Sequence, residues 1–366
     1  MKRETSLTIA SDVPLAPRTS LGVGGNARFF AAAQTVAQVQ EALHWATAEN
    51  LPVFLLGGGS NLVVSDEGFP GLVLSLQIAG VSAQHESPDE VILEVGAGED
   101  WDSLVRHTVE RGWQGIECLA GIPGSVGATP VQNVGAYGQE VAETIVAVTA
   151  IDRRTGTVHE FSNTECGFSY RRSRFNGDDA GNWCITSVRF RLRPNTPASL
   201  RYADLQRYFA DQPAPSLFAV YHAVREIRSR KGMVIRPDDP DSRSAGSFFK
   251  NPIVSAADWA RIQASTSQAI PHWLQPDGSV KLAAAWLIEH SGFARGQAWG
   301  YAGLSTKHIL ALVNRGDATA AEIVSAACRV QQGVQAAWGI PLAPEPVFLG
   351  FPPDAPLPHL AVRAFC

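Results

Sequence analysis

Hydrophobic positions recur along the chain with two different periods, and each period predicts one kind of element. Alternation or a short apolar run predicts strands at residues 28–33, 52–56, 72–76, 91–95, 144–151, 158–161, 185–192 and 309–313. Helical spacing predicts helices from residue 35, from residue 100, at 216–230, at 281–290 and from residue 319. Strands and helices are mixed along the chain, so the predicted fold class is α+β.

The predicted helices carry start signals and an apolar face. Thr35 and Thr319 each begin a capping-box pattern, and Asp100 is a predicted N-cap. The apolar face of the first helix consists of Val36, Val39, Leu43 and Ala46. Such faces predict helices that pack on a core instead of standing alone in solvent.

Length and composition allow two or three domains, since 366 residues can bury more than one core. Turn residues at Asp211, Gln212 and Pro213 predict a domain boundary. A net charge of -5 argues against nucleic acid as a partner but leaves room for a local basic pocket that binds a phosphorylated ligand. No apolar stretch reaches about 18 residues, so no membrane span is predicted.

Cysteine and histidine usage predicts no metal site. The five cysteines are odd in number and have no CxxC spacing, which indicates reduced thiols in a cytoplasmic protein. The nine histidines form no HxH, HxxxH or HExxH pattern. Residues 1–4 are basic but lead into polar residues, unlike a secretory signal.

The segment GVGGNA at residues 22–27 matches the dinucleotide fingerprint GxGxxA, and its context favours a turn instead. The fingerprint needs a strand before it and a helix after it. Here the residues that precede it are Pro17, Arg18, Thr19 and Ser20, and a predicted strand follows.

A different glycine-rich segment does follow a predicted strand. It consists of Gly57, Gly58, Gly59, Ser60 and Asn61. Glycines allow backbone N–H groups to approach phosphate oxygens. The segment has no P-loop lysine, which argues against NTP hydrolysis. Taken alone, it is open to two readings, a phosphate-binding loop or a plain loop.

A second glycine-rich run favours the phosphate-binding reading. It covers the sequence IPGSVG at residues 122–127 and continues to QNVGAYG at residues 132–138. Two such loops can together hold the two phosphates of one dinucleotide. The pair of loops therefore predicts a dinucleotide site.

Three polar residues are open to a catalytic or an ordinary interpretation. Arg171, beside Arg172, fits either a site cation or a surface charge. Ser247 fits either a functional hydroxyl or a turn serine, and no GxSxG elbow surrounds it. Glu345 lies between two prolines, in a backbone constrained on both sides, and fits either a rigid site carboxylate or a solvated loop residue.

Taken together, the motifs resemble those of the UDP-N-acetylenolpyruvoylglucosamine reductase family. They occur in order as GGGSN, IPGSVGATPVQNVGAYG, GFSYRRS, AGSFFKNP, DGSVKLAAAWLIE and PEP, over residues from about 20 to 350. The resemblance implies a two-part FAD-binding module of the vanillyl-alcohol-oxidase type at 1–212, with subdomains at about 1–78 and 79–212. An α+β substrate-binding domain at 213–340 follows, and a segment at 341–366 returns to the active site with Glu345.

The same resemblance implies the cofactors. FAD would bind non-covalently, and NADPH would be the hydride donor. The implied FAD-binding residues are Gly57, Gly58, Gly59, Ser60, Asn61, Ile122, Pro123, Gly124, Ser125, Gly127, Asn133, Gly135 and Ala136.

It also implies the roles of the polar residues in reducing UDP-N-acetylenolpyruvoylglucosamine to UDP-N-acetylmuramate for the cell wall. Arg171 would polarise the substrate carboxylate, Ser247 would donate the proton, and Glu345 would act as an acid or electrostatic partner. The implied substrate-binding residues are Tyr137, Tyr202, Lys231 and Asn251.

The resemblance also concerns two aromatic residues, Tyr202 and Trp273, and the partners of the protein. Tyr202 matches a family subtype with an extra tyrosine loop that closes over the nucleotide. Trp273 stands where a tyrosine is expected over the uridine. The family likeness implies a cytoplasmic monomer with a small-molecule substrate and no nucleic-acid or membrane partner.

Two alternatives remain at this point. One is a flavin oxidoreductase of the same cofactor fold that acts on an alcohol or lactone, which would leave AGSFFKNP and Glu345 unexplained. The other is a non-catalytic UDP-sugar-binding protein. Retention of Arg171, Ser247 and Glu345 together weighs against it, and bound flavin that NADPH cannot reduce would favour it.

Overall fold

The structure, a computed structural model, describes residues 7–211 and 214–364. Residues 212 and 213 at the predicted domain boundary lie outside the described residues, as do residues 1–4 and Cys366. The proposed boundaries between domains therefore stay predictions. Four clusters of buried hydrophobic side chains organise the described residues. Two of them lie mainly in the first lobe described below, and the second and third lobes have one each.

The first lobe is a sheet with one helix packed on it. Its elements are β1 (Ile9–Pro14), β2 (Asn26–Ala33), α1 (Val36–Ala48), β3 (Val53–Leu56), β4 (Leu62–Val64) and β5 (Phe69–Leu76). The sheet order is β1-β2-β5-β3, with β2, β5 and β3 parallel. The Thr35 side chain accepts a hydrogen bond from Gln38 N and so caps α1. Strand β3 ends directly before the glycine-rich segment at 57–61.

The second lobe is built around an antiparallel sheet. Its elements are β6 (Val81–Glu86), β7 (Val91–Gly96), α2 (Trp101–Glu110), β8 (Trp113–Gln114), β9 (Gly135–Ala136), β10 (Gln139–Glu140), β11 (Ile145–Asp152), β12 (Val158–Ser162), β13 (Trp183–Pro194), α3 (Ala203–Tyr208) and α4 (Leu217–Arg230). The sheet order is β12-β11-β13-β7-β6. Helix α4, which the prediction assigned to the substrate-binding domain, buries Val220, Val224 and Ile227 in the core of this lobe.

The third lobe contains short strands and a long helix. Its elements are β14 (Ile253–Val254), α5 (Ala256–Ala264), β15 (His272–Leu274), β16 (Val280–Leu282), α6 (Ala284–Glu289), β17 (Ala298–Trp299), β18 (Ala302–Leu304), β19 (Leu312–Asn314), α7 (Ala320–Trp338), β20 (Val347–Leu349) and β21 (Val362–Arg363). Thr319 and Glu322 form the predicted capping box of α7. Strand β20 pairs in parallel with β4 of the first lobe, so the end of the chain returns to the first glycine-rich segment.

Three predictions need correction. The helix predicted at 281–290 begins at Ala284, because Lys281 pairs with both Ile253 and Trp273 inside a three-stranded sheet. The strand predicted at 309–313 covers Leu312–Asn314 instead. Val36, predicted on the buried face of α1, is 36% exposed, because it lies at the first turn of the helix.

The segment at 22–27 is a turn, as its context predicts. Gly22 and Gly24 have positive φ angles, and the chain passes from them directly into β2. Over residues 7–211 and 214–364, none of the helices has the length and apolar character needed to cross a bilayer.

Candidate active site

The two glycine-rich segments lie directly against each other. A Cβ added to Gly57 would lie 2.7 Å from Ser125 Oγ, and one added to Gly58 would lie 2.6 Å from Gly124 Cα. Ser60 Oγ donates to the carbonyl oxygen of Pro123 at 2.9 Å. Glycine is therefore required at 57 and 58 by the close approach of the second loop.

The first loop has the donors that an anionic cofactor needs. Among the described residues, no hydrogen bond uses the backbone N–H groups of residues 57–61. Consecutive backbone N–H groups in a glycine-rich turn form a concave site for phosphate oxygens. The loop therefore fits the pyrophosphate of FAD.

The second loop is anchored by backbone hydrogen bonds to the turn between β7 and α2. Val126 N donates to Glu99 O at 2.9 Å, and Gly127 N donates to Ala97 O at 2.9 Å. A Cβ on Gly127 would lie 2.5 Å from Ala97 Cβ. Ile122 packs against the core of the second lobe. These hydrogen bonds and contacts hold the second loop in place beside the first loop.

Asn133 holds the next turn of this segment together. It has a φ of 46° and is 1% exposed. Its Nδ2 donates to Glu140 Oε2 at 2.8 Å and to Ser169 O at 3.1 Å, while its Oδ1 accepts from Ala142 N at 3.1 Å. The side chain therefore links β10, the partner strand of Gly135 and Ala136 in β9, to the turn that carries Arg171.

Arg171 points into the site and Arg172 points away from it. Arg171 has a φ of 55°, uncommon for a bulky residue, and its Nη2 donates to Gly135 O at 2.8 Å. Its buried Nε lies 3.3 Å from Glu345 Oε1 without the alignment of a hydrogen bond. Arg172 instead pairs with Asp178 at 2.9 Å, with its side chain 61% exposed. Of the two arginines, Arg171 is therefore the one that lies beside the carboxylate of Glu345.

Glu345 joins two of the motifs through its backbone. Its N–H donates to Phe248 O at 2.9 Å, and its carbonyl oxygen accepts from Asn61 Nδ2 at 3.2 Å. Asn61 Nδ2 also donates to Gln132 Oε1 at 3.0 Å. The side chain of Glu345 is 14% exposed and faces Arg171. The first glycine loop, the serine loop and the arginine turn therefore meet at this residue.

Ser247 precedes Phe248, and its Oγ has one hydrogen-bond partner within the part of the chain that the structure describes. Its Oγ lies 3.4 Å from Nε2 of His308, a long hydrogen bond. Burial, aided by the charges of Lys231, Arg295 and Arg228, lowers the pKa of His308 to about 4. The imidazole beside Ser247 is therefore uncharged at neutral pH.

Tyr137, Tyr202 and Lys231 form a second cluster, in the second lobe. The rings of Tyr137 and Tyr202 meet edge to face at 5.5 Å, and Lys231 Nζ lies 5.7 Å from the Tyr137 centroid. Burial raises the pKa of Tyr137 to about 12. Lys231 Nζ donates to Asp204 Oδ2 at 3.1 Å, so its ammonium is already paired with a carboxylate.

Asn251 and Trp273 lie on the third-lobe side of the site. Asn251 Oδ1 accepts from Ala284 N at 3.0 Å and so caps α6. Lys281 Nζ lies 4.6 Å from the Tyr170 centroid and 5.6 Å from that of Trp273. Trp273, 45% exposed, is thereby linked to the residue before Arg171.

Sequence reasoning missed three residues of this region. His308 contacts Ser247, Asp204 contacts Lys231, and Lys250 lies where burial lowers its pKa while the charge of Glu345 opposes the shift. Lys250 belongs to the AGSFFKNP motif, which could have marked it. His308 and Asp204 carried no motif signal that pointed to the site. Within the described residues, no three His, Cys, Asp or Glu side chains are grouped to hold a metal ion.

Comparisons with known proteins agree with this arrangement. Residues 27–162 match the family described as FAD binding domain. Residues 238–349 match the family described as UDP-N-acetylenolpyruvoylglucosamine reductase, C-terminal domain. These matches confirm the predicted fold class, an α+β chain with an FAD-binding module of the vanillyl-alcohol-oxidase type, and they confirm FAD as the cofactor.

Full-length relatives are similar over nearly the whole chain. The UDP-N-acetylenolpyruvoylglucosamine reductase of Thermobifida fusca is 43% identical over 352 residues, which cover 94% of this chain and 98% of the relative. That of Streptomyces avermitilis is 45% identical over 349 residues, covering 93% and 94%. The crystal structure of the Thermus caldophilus enzyme superposes with a TM-score of 0.66 at 26% identity, covering 94% of this chain and 99% of that one.

Proposed function

The chain belongs to the UDP-N-acetylenolpyruvoylglucosamine reductase family, and on that premise we propose that it reduces UDP-N-acetylenolpyruvoylglucosamine to UDP-N-acetylmuramate with NADPH as hydride donor. The observation that carries this proposal is the contact of Arg171 with Glu345, on a backbone bonded to the residue after Ser247. A cation is thereby in contact with a carboxylate, and the residue of that carboxylate is bonded through its backbone to the serine loop, beside the loops suited to FAD. The product serves peptidoglycan precursor synthesis.

The cofactor would be held by the two glycine-rich loops, with the N–H groups of residues 57–61 on its phosphates. When bound, FAD supplies the hydride, taken from NADPH, that adds to the methylene carbon of the enolpyruvyl group. Asn133, Gly135 and Ala136 would support the same cofactor from the second loop. For Asn133 that support is indirect, because its side-chain amide already forms hydrogen bonds with Glu140 and Ala142.

Arg171 would stabilise the charge that hydride addition creates. That charge develops on the carbon next to the substrate carboxylate and is shared with it. Nη1 of Arg171 has no hydrogen-bond partner among the described residues, which leaves it for the carboxylate. At about 4 Å and an effective dielectric of about 20, one such contact contributes roughly 4 kcal/mol. That is roughly a thousandfold in rate.

Ser247 would then donate its proton to the same carbon. A serine hydroxyl is a weak acid, but the charged intermediate is a strong base, so a positioned hydroxyl can deliver the proton. Glu345 would act as an acid or as an electrostatic partner. Its contact with Arg171 supports the electrostatic role, because a carboxylate there orients the guanidinium.

Tyr137, Tyr202, Lys231 and Asn251 would bind the UDP-sugar. Lys231 supplies the positive charge that a diphosphate needs, next to two tyrosine rings. Tyr202 is 40% exposed and precedes α3, which supports its assignment to the subtype with the extra tyrosine loop. We further propose a cytoplasmic monomer, the state that the family likeness implies.

Steady-state turnover tests the proposed function. Oxidation of NADPH should depend on added UDP-N-acetylenolpyruvoylglucosamine, and mass spectrometry should find a product heavier by two hydrogens. NADPH oxidation that is indifferent to this substrate, or that yields no reduced product, would refute the proposal. An alcohol or lactone in its place serves as the control for the alternative flavoenzyme.

A further inference from the structure

We infer that His308 is a positioning residue for Ser247, whose Nε2–H donates to the serine oxygen and leaves the serine proton directed at the substrate. The inference rests on the proposed function, because it assigns a partner to the proposed proton donor. It adds a residue that lies in a different segment from the motifs named so far.

The geometry joins the two side chains and their backbones. Among the described residues, His308 Nε2 is the sole hydrogen-bond partner of Ser247 Oγ, at 3.4 Å. The residues beside them are also joined, since Phe248 N donates to Leu310 O at 2.7 Å. The serine loop and the histidine segment are thereby held in register. A contact that is long in the free protein can tighten when substrate closes the site.

The histidine segment is itself a fixed turn. The hydroxyl of Ser305, which is fully buried, accepts from Lys307 N at 3.0 Å and from His308 N at 3.1 Å. Ser305 N donates to Ala311 O at 2.9 Å, and Ala311 N donates to His308 O at 3.0 Å. The backbone turn that carries His308 is therefore held by four hydrogen bonds that do not involve Ser247.

The direction of the contact follows from what a proton donor requires. A serine has one hydroxyl proton and two acceptor lone pairs. If Nε2 accepted that proton, the proton would point at the ring and away from the substrate. If Nε2 carries the hydrogen, it occupies a lone pair, and the serine proton is free to point elsewhere.

The charge state of the ring is consistent with this tautomer. Burial, together with the charges of Lys231, Arg295 and Arg228, lowers the pKa of His308 to about 4. The ring is therefore neutral, with hydrogen on one nitrogen only. A neutral donor does not compete with Ser247 as a proton source at neutral pH.

This contact stabilises the negative charge that proton transfer leaves on the serine oxygen. The Ser247 O–H bond breaks, a C–H bond forms at the carbon next to the carboxylate, and the serine oxygen keeps the electron pair. The Nε2–H of His308 then donates to a charged oxygen, and such bonds are stronger than those to a neutral hydroxyl. Water restores the serine proton after the product leaves.

Four variants of the holoenzyme test the role by rapid-mixing measurement of flavin reoxidation. His308→Leu should slow reoxidation by the substrate about 10- to 100-fold, the effect of losing one bond to a charged oxygen. His308→Gln should recover most of that loss, since its amide can donate from a similar position. Reduction by NADPH should be unchanged in both. In a Ser247→Ala background, His308→Leu should cause no further slowing.

Two kinetic results would overturn the inference. One is equal slowing of both half-reactions by His308→Leu, and the other is a full additional loss in the Ser247→Ala background. Either would mean that His308 supports the fold and does not act through Ser247. If wild-type protein is reduced by NADPH but not reoxidised by the substrate, the proposed function fails instead.

A spectroscopic readout separates the tautomers without turnover. ¹⁵N nuclear magnetic resonance of labelled histidine, assigned with His308→Gln, should find the hydrogen of His308 on Nε2. Hydrogen on Nδ1 would contradict the inference even in an active enzyme.

Discussion

Gly58 lies so close to Gly124 that a Cβ on the first would stand 2.6 Å from the Cα of the second. The atom it would meet belongs to the backbone and cannot move aside as a flexible side chain would. The two glycine-rich loops, separated by more than sixty residues in the sequence, are therefore packed backbone to backbone. This contact sets the spacing of the groups proposed to hold FAD.

We predict that Gly58→Ala separates the loops and weakens FAD binding about 5- to 150-fold, since a shift of the backbone typically costs about 1–3 kcal/mol. Flavin fluorescence on titration of apoprotein measures the dissociation constant. Gly316→Ala is the matched control, because a Cβ there would meet only the Tyr301 ring at 3.4 Å. Equal FAD affinity in the two variants would show that the loop contact is not needed.

The two neighbouring arginines offer a second comparison. Arg171→Met should slow flavin reoxidation by the substrate roughly a thousandfold, because it removes the cation proposed to face the developing charge. Arg172→Met removes an exposed pair with Asp178 and should stay within a few fold of wild type. Rapid-mixing measurement of flavin reoxidation in both variants shows which arginine is the cation that faces the substrate. A large loss at Arg172 and a small one at Arg171 would reverse the assignment.

The sequence predicted most elements of the first two lobes and could not predict several others. Thr35, Asp100 and Thr319 were visible as caps because capping is local chemistry. Strand β4 and strand β20 pair with each other across nearly the whole chain, and neither three-residue run has a period of its own. Strand β6 is exposed along its length, so no hydrophobic pattern marked it.

Some residues of the candidate site could likewise be predicted from the sequence, and others could not. Arg171, Ser247 and Glu345 were found through motifs, and their roles remain proposals. Their mutual contacts depend on backbone bonds between distant segments, such as Glu345 N to Phe248 O, which no local pattern encodes. His308 escaped detection because a single histidine in a turn gives no spacing to recognise.

Lys231 is paired with Asp204 in the free protein, and a substrate diphosphate would compete for it. Burial raises the pKa of the Asp204 carboxyl, but the hydrogen bonds and charges of Lys231 and Arg207 outweigh it, and the net shift is downward. Asp204 is therefore ionised at neutral pH. We predict that Asp204→Asn lowers the KM for the UDP-substrate several-fold, since Lys231 loses its competing anion.

Steady-state kinetics on Asp204→Asn checks this, with Glu226→Gln as the control. Glu226 pairs with Arg230 on an exposed face of α4, and among the described residues no ion pair joins it to Lys231. An increase in KM for Asp204→Asn would mean that the carboxylate positions Lys231 for the substrate instead of competing with it.

The lowered pKa of His308 predicts a pH-dependent stability. Between pH 6.5 and about 4, the unfolded histidine binds a proton that the folded one does not. Stability from this group is therefore present above the unfolded value of 6.5 and is lost as the pH falls toward 4. The upper limit of the effect is about 3 kcal/mol.

Chemical unfolding of wild type and His308→Gln across this pH range measures the effect. The wild type should lose more free energy of unfolding than the variant as the pH falls, because glutamine does not titrate. Parallel curves would contradict the assignment of a buried neutral ring, whatever the role of Ser247.

The central claim is that Ser247 supplies the proton after hydride transfer, and anaerobic half-reactions of Ser247→Ala test it most directly. NADPH should bleach the flavin absorption of the variant at nearly the wild-type rate. Addition of UDP-N-acetylenolpyruvoylglucosamine should then restore oxidised flavin about 10²- to 10⁴-fold more slowly than in wild type. Reoxidation at the wild-type rate, or an equal loss in both half-reactions, would contradict the account.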